Sequence, residues 1–448
     1  MYINWIKIKN LRCFREAEIE LQYRGKPRKK NQEELQFPNI NLLLGNNGSG
    51  KSSMLRALAL VSLAPVLERS SGLVLNGMVR NVDGISANLE DTELSAELIL
   101  HEQDLEGFSR KKSSEINVSS RIKRRRSIEE LRSETPEEEI PDKIFEDYSP
   151  AFLVVGYGVT RRSEESSNYN FKEQSKIRRV RYSRVAGLFE NNYGLIPLKS
   201  WLPHMKNENK GRYSQVVKLI DLITPEDVEF SGEFIEEEFY FNFGETKIPF
   251  GSLSDGYKSF IGWVADLLYH ICMGCPSGKK LVDNYSLVLV DEIDLLLHPE
   301  WQRTVIQSLA EHLPNVQFVF TTHSPIVASS VEKENIYVME EDWDGSATIK
   351  QYDERIYGLN AEQVLLSSYF GLRTTRPASF VENVLEPLIE KSIKGDHKAT
   401  LQFMDKISGP ADSSITESDS ATRNVEKLDR SRFKSLLNNY KKTSLVKE

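Results

Sequence analysis

Cysteine is scarce in this chain, with three residues in 448, which excludes a disulfide framework and fits a reducing compartment. Two of the three form Cys272-Met273-Gly274-Cys275. Without a second pair or neighbouring histidines this CxxC spacing lacks what a zinc site needs, and ordinary helix-end thiols are the simpler expectation. A bilayer-spanning run is also missing: the longest apolar stretch, Met54 to Leu67, is broken by Arg56, Ser62 and Pro65 and is too short to cross a membrane. No apolar signal-peptide core opens the chain, because Met1 to Lys9 alternates apolar and polar residues as a strand does. Excess positive charge is absent as well. The formal net charge is −8, so any contact with nucleic acid must be local. A cytoplasmic protein without a membrane role is expected, long enough for two or three domains.

What is present is a succession of strands ending in chemically loaded turns. Ala17 to Leu21 alternates again, Arg24 to Lys30 reads as an exposed basic hairpin loop, and Asn39 to Leu44 is a short apolar strand. That strand runs into Gly45-Asn46-Asn47-Gly48-Ser49-Gly50-Lys51-Ser52, after which Ser53 to Leu63 has the apolar density of a helix. Strand, glycine loop and helix in this order are what a P-loop requires. Leu94 to Leu100 is a further strand. From about Gly107 to Tyr148 the chain turns polar, a basic block (Arg121, Lys123, Arg124, Arg125, Arg126) preceding an acidic one (Glu137 to Glu139), and this predicts a mobile insert.

Ala151 to Val155 is strand-like and leads into Gly156-Tyr157-Gly158-Val159-Thr160-Arg161-Arg162, then a second basic stretch, Lys172 to Arg184. Ile235 to Phe243 is predicted as one half-buried strand with Ile235, Phe239, Phe241 and Phe243 on a single face. Leu253-Ser254-Asp255-Gly256-Tyr257 opens a helix running to about Met273. Leu287 to Val290 is continuously apolar, as a strand buried on both faces must be, and ends in Asp291-Glu292. Pro299 starts a helix to His312, and the strand Val316 to Phe320 ends at Thr321-Thr322-His323-Ser324-Pro325. Helices are expected over Ala361 to Tyr369 and Phe380 to Ile393. Ser408 to Thr422 reads as a disordered linker.

The P-loop carries the strongest chemical signal. Its glycines let backbone N–H groups wrap a β-phosphate, with Gly45, Asn46, Asn47, Gly48, Ser49, Gly50 and Ser53 shaping the cradle. Lys51 reaches the β/γ oxygens and the Ser52 hydroxyl coordinates Mg²⁺. A triphosphate site also needs an acid for the metal and a group to polarise water, and the strand end supplies both as Asp291 and Glu292. His323, closing the next strand, is placed to report on the γ-phosphate. ATP and Mg²⁺ are therefore the expected cofactors.

The order of these motifs resembles the ABC ATPase superfamily: Walker A at Gly45 to Ser52, signature at Leu253 to Tyr257, Walker B at Leu287 to Glu292 and a switch histidine at His323. The resemblance implies an α/β fold, an ABC-type P-loop NTPase head with a mixed sheet and an antiparallel N-terminal subdomain, plus a helical insert and C-terminal helices. It implies catalytic roles for Glu292 and His323. It also implies that Ser254 and Gly256 bind the γ-phosphate held by a second copy, so that the site is complete only in a head-to-tail dimer. Two departures stand out. Asp255 and Tyr257 occupy positions where transporters carry Gly and Gln, and no Q-loop glutamine can be placed, Gln103 being a weak candidate.

Within the superfamily, Ile6 to Phe14, Asp291 to Gln302 and the Thr-Thr-His-Ser-Pro tail resemble the SMC, RecF and OLD branch. Ser254 to Tyr257, Gly156 to Gly158 with Arg161 and Arg162, and Ser367 to Pro377 look like the PtuA ATPases of bacterial Septu and retron anti-phage systems. That family implies an HNH nuclease partner, PtuB, and contact with DNA or retron RNA/DNA is a further partner class to test. The corresponding division is 1–105 and 251–345 for the two halves of the head, 106–250 for an insert lobe, and 346–448 for a helical region with a linker at about 408–428. Two rivals are a RecF- or SMC-like DNA repair ATPase and an OLD-type ATP-dependent nuclease. The second needs acidic strand ends, yet Glu340 to Gly345 reads better as a hairpin turn.

Overall fold

The computed structural model describes residues 1–28, 34–70, 73–81, 91–106, 114–125, 128–163, 180–191, 193–225, 227–276 and 278–408. The chain begins as an antiparallel pair, β1 (Tyr2–Leu11) and β2 (Phe14–Glu20), followed by β3 (Ile40–Gly45) and helix α1 (Lys51–Leu67). Strands β4 (Thr92–Ile99), β5 (Glu115–Arg125) and β6 (Ile128–Ser133) extend the first pair into a five-stranded antiparallel sheet of order β2-β1-β4-β5-β6. The charged stretch expected as a mobile insert thus supplies two strands. Ile116, Val118 and Ile122 are buried on alternate positions of β5, while Arg121 pairs outward with Glu134, Glu93 and Asp91.

Strands β7 (Val154–Tyr157), β8 (Arg162–Ser163) and β9 (Gly194–Leu195) come next, β8 and β9 forming a short parallel pair. Helices α2 (Leu198–Glu208) and α3 (Lys210–Ile223) lead to a small antiparallel sheet of β10 (Phe234–Ile235), β11 (Glu238–Phe243) and β12 (Thr246–Pro249). Here the single strand expected over Ile235 to Phe243 is broken. Glu236 and Glu237 both take positive φ, 49° and 63°, and form a two-residue turn between β10 and β11, the geometry that tight hairpins favour.

Helix α4 (Asp255–Met273), β13 (Ser286–Val290), α5 (Pro299–His312), β14 (Val316–Thr321), β15 (Ile336–Glu341) and β16 (Ala347–Lys350) complete the head. The central sheet has the order β16-β15-β3-β14-β13-β7 and is parallel apart from β16. Its strands are apolar throughout because both faces are covered. Ile40, Leu42, Val288, Val290, Phe318 and Phe320 face a core shared with α4 and α5. Leu43, Leu287, Leu289 and Val319 face α1 and the antiparallel sheet. Helix α1 is buried over nearly its whole length, with Met54, Leu55, Ala57 to Val61 and Leu63 packed on all sides, as a helix walled in by two sheets must be. It continues past the Leu63 end expected from the sequence to Leu67, through Pro65, since burial outweighs the backbone hydrogen bond that proline removes.

The chain divides into two compact units, residues 1–373 and 374–448. The described part of the second holds helices α6 (Glu386–Ile393) and α7 (His397–Ser408), and the linker expected from Ser408 lies outside the described residues beyond that helix. Among the described residues no helix is long and apolar enough to cross a membrane.

Candidate functional site

In an open parallel sheet, ligands gather at the carboxyl ends of the strands, and β3, β13 and β14 end side by side. After β3 the loop turns through Gly45, Gly48 and Gly50, whose φ values are 150°, 83° and 102°. Glycine is required twice over at Gly50, where an added Cβ would stand 2.6 Å from both Cys13 Sγ and the Phe14 ring. Helix α1 then starts at Lys51 with no side-chain cap and no acidic residue in its first turn. Its first N–H groups and its positive end are left for an anion. The Lys51 ammonium donates to the carbonyls of Gly45 (2.8 Å) and Asn46 (3.0 Å). Burial lowers its pKa, against the pull of Asp291, Glu292 and Asp294. The Ser49 hydroxyl is buried without a hydrogen-bond partner among the described residues.

Walker B is built by three elements. Thr321 at the end of β14 donates its hydroxyl to Asp291 Oδ1 (2.5 Å) and accepts the Glu292 N–H (2.7 Å). Glu292 has φ 48°, a left-handed conformation uncommon for a side chain of its kind. On the carbonyl side the buried guanidinium of Arg161 donates Nη1 to Asp291 O and Nη2 to Glu292 O, each at 2.7 Å. Burial pulls the Arg161 pKa down to about 10, so it stays charged at neutral pH. Thr322 donates to Asp294. Burial, then the charge of Lys51, lowers the His323 pKa from its ordinary 6.5, which favours the neutral imidazole.

These groups meet in one cavity of about 390 Å³. Asn47, Gly48, Gly50, Lys51, Ser52, Ser53, Asp291, Glu292 and His323 line it, together with Arg12 and Cys13 from the β1–β2 turn. Gly45, Asn46 and Ser49 complete the loop. Ser254 and Gly256 are not among the lining residues: Ser254 is the exposed N-cap of α4, and Gly256 packs beneath the Leu296 carbonyl, where a Cβ would come within 2.7 Å. The donor set suits a magnesium nucleotide, with hydroxyl and carboxylate oxygens beside a cationic, uncapped helix end.

Several expectations change. Gln103 is no Q-loop residue. It is buried and donates to Pro150 O and Tyr285 O, just before β7 and β13 and so at the far end of those strands. Of the second basic stretch, residues 172–179 lie outside the described residues, while Arg181 and Arg184 are buried despite their charge. Arg181 instead donates to the carbonyls of Lys143, Glu146, Ala151 and Phe152. Cys272 and Cys275 are free thiols, and burial pushes Cys272 up to about 12. Sequence reasoning misses the contributions of Arg12, Cys13, Thr321 and Arg161 to the site. The Gly-Tyr-Gly-x-x-Arg pattern is the one signal that touches Arg161.

Comparison with known proteins gives the family. The family described as "AAA domain, putative AbiEii toxin, Type IV TA system" matches residues 40–329. A Septu protein PtuA of Bacillus mycoides is 26% identical over 75% of this chain and 41% of its own length. A retron Vc95 probable ATPase of Vibrio cholerae is 41% identical over 21% of this chain and 19% of its own length. The chain therefore matches less than half the length of these relatives. Among solved structures, the SMC head domain of Thermotoga maritima is 15% identical, with a TM-score of 0.41 over 79% of this chain and 100% of that one. The phosphate loop, the acidic pair Asp291-Glu292 and His323 all fall inside the matched segment, and the chain belongs to this AAA-domain family of P-loop ATPases.

Proposed function

We propose that the chain binds ATP with Mg²⁺ and hydrolyses it between two copies arranged head to tail. One observation carries this reading: the phosphate loop, Asp291-Glu292 and His323 share a cavity, while Ser254 and Gly256 begin a helix outside that lining. Lys51 neutralises phosphate charge, and Ser52 and Asp291 would hold the metal, which when bound would supply charge screening for the phosphates. Glu292 takes the proton of the attacking water, and neutral His323 donates a ring N–H beside it. Ser254, Gly256 and the positive end of α4 from the second copy close the site.

Mixing two inactive variants tests the arrangement. Lys51→Ala spoils one copy's phosphate loop and Ser254→Arg the other's helix tip, so a mixed pair keeps one intact site. Turnover should return to about a quarter of wild type if pairs form at random with additive sites. A mixture as inactive as its components would refute the shared site.

The setting is anti-phage defence, in which the nucleotide state controls an HNH nuclease. The named Septu and retron relatives support the setting, and the nuclease follows from the PtuA resemblance. ATP favours the closed pair and so holds or releases the partner by linkage. A pull-down with an HNH protein encoded beside this chain should change between ATP and no nucleotide. Absence of capture in both conditions would remove the nuclease from this reading.

A further inference from the structure

We infer that Arg161 is a positioning residue for hydrolysis, holding the Walker B turn in the backbone conformation that presents Glu292 to the cavity. This rests on the reading of Glu292 as the base. The Glu292 peptide is over-determined: its N–H donates to Thr321 Oγ1, the next N–H, of Ile293, donates to Thr321 O at 2.9 Å, and Arg161 grips the two carbonyls of Asp291 and Glu292. A non-glycine residue at φ 48° is strained and persists only where its surroundings enforce it. Without the guanidinium, the Asp291 and Glu292 carbonyls lose their tether to the loop after β7, and the turn is free to relax toward an ordinary conformation that aims the carboxylate elsewhere.

The choice of residue is informative. Two carbonyls in succession fit the planar fork of arginine, which lysine does not reproduce. A buried guanidinium that spends its hydrogen bonds on carbonyl oxygens, with the charges of Asp291, Asp294 and Glu292 only near by, is an expensive staple, and among the described residues its Nε has no hydrogen-bond partner. Such local imperfection is what a site built for function shows. The anchor is firm on its other side. The Asp291 N–H donates to Tyr157 O at 2.9 Å, and the Tyr157 hydroxyl donates to Asp266 Oδ2 of α4 at 2.7 Å. Tyr157, four residues before the arginine, therefore ties the same turn to the helix that Ser254 begins.

The test uses Arg161→Gln and Arg161→Lys, each made in the wild type and in Glu292→Gln, with kcat, KM, ATP affinity and Tm measured. Arg161→Gln should lower kcat about tenfold or more, Arg161→Lys less, with KM and ATP affinity within about twofold. In the Glu292→Gln background neither change should slow the residual turnover further. Unchanged kcat, a parallel loss of ATP affinity, additive losses in the double variants, or unfolding of both variants would each overturn the positioning role. Should Glu292→Gln alone keep wild-type turnover, the reading of Glu292 falls and this inference with it. If Glu292→Gln is slow and the Arg161 variants are not, only this inference falls.

Discussion

Lys51 and Glu292 separate binding from turnover. The ammonium of Lys51 lines the cavity, held by two carbonyls of its own loop, so Lys51→Ala should abolish measurable ATP binding in a titration. Glu292→Gln keeps that cradle intact and should bind ATP while hydrolysing it about a hundredfold more slowly, checked by phosphate release. Gly50→Ala combines a backbone strained at φ 102° with a collision at Cys13 and Phe14. It should cost about 2 kcal/mol or more in stability, read by denaturant unfolding, and weaken ATP binding. The residues that announce themselves in the sequence are those whose chemistry is local to a short motif. Arg161 and Thr321 do not, because their importance lies in backbone groups of Asp291 and Glu292 more than a hundred and about thirty residues away respectively.

Elements were readable wherever one pattern dominated. The buried strands β3, β13 and β14 are apolar without interruption, and the loop after each carries its chemistry openly. β5 was masked by charge, although the alternation of Ile116, Val118 and Ile122 was present beneath it. The Glu236-Glu237 turn has neither glycine nor asparagine to mark it. The short turn after β4 carries a pH dependence that no pattern reveals. His101 stacks on Tyr285 with ring centroids 3.7 Å apart, and burial depresses its pKa from 6.5 to about 4. The folded state thus resists a proton that the unfolded chain accepts. This contribution is complete above pH 6.5 and is lost as pH falls toward 4. Thermal melts should show about 2–3 kcal/mol lost across that window, and His101→Phe should flatten that part of the decline.

At the scale of the whole molecule, the ABC-type head was legible because its motifs stand in a fixed order, whereas the proposed use of α4 by a second copy rests on the resemblance alone. Gly256 tests that use. Its Cβ has no room below the Leu296 carbonyl, so Gly256→Ala should displace the tip of α4, reducing turnover about tenfold or more while ATP affinity measured on dilute protein stays within about twofold. Steady-state rates and equilibrium titration on one preparation check both halves. Helix α1, meanwhile, is gripped along its length by two sheets. A rod held in that way has little room to shift, so the open N–H groups at its tip stand aligned before any anion arrives.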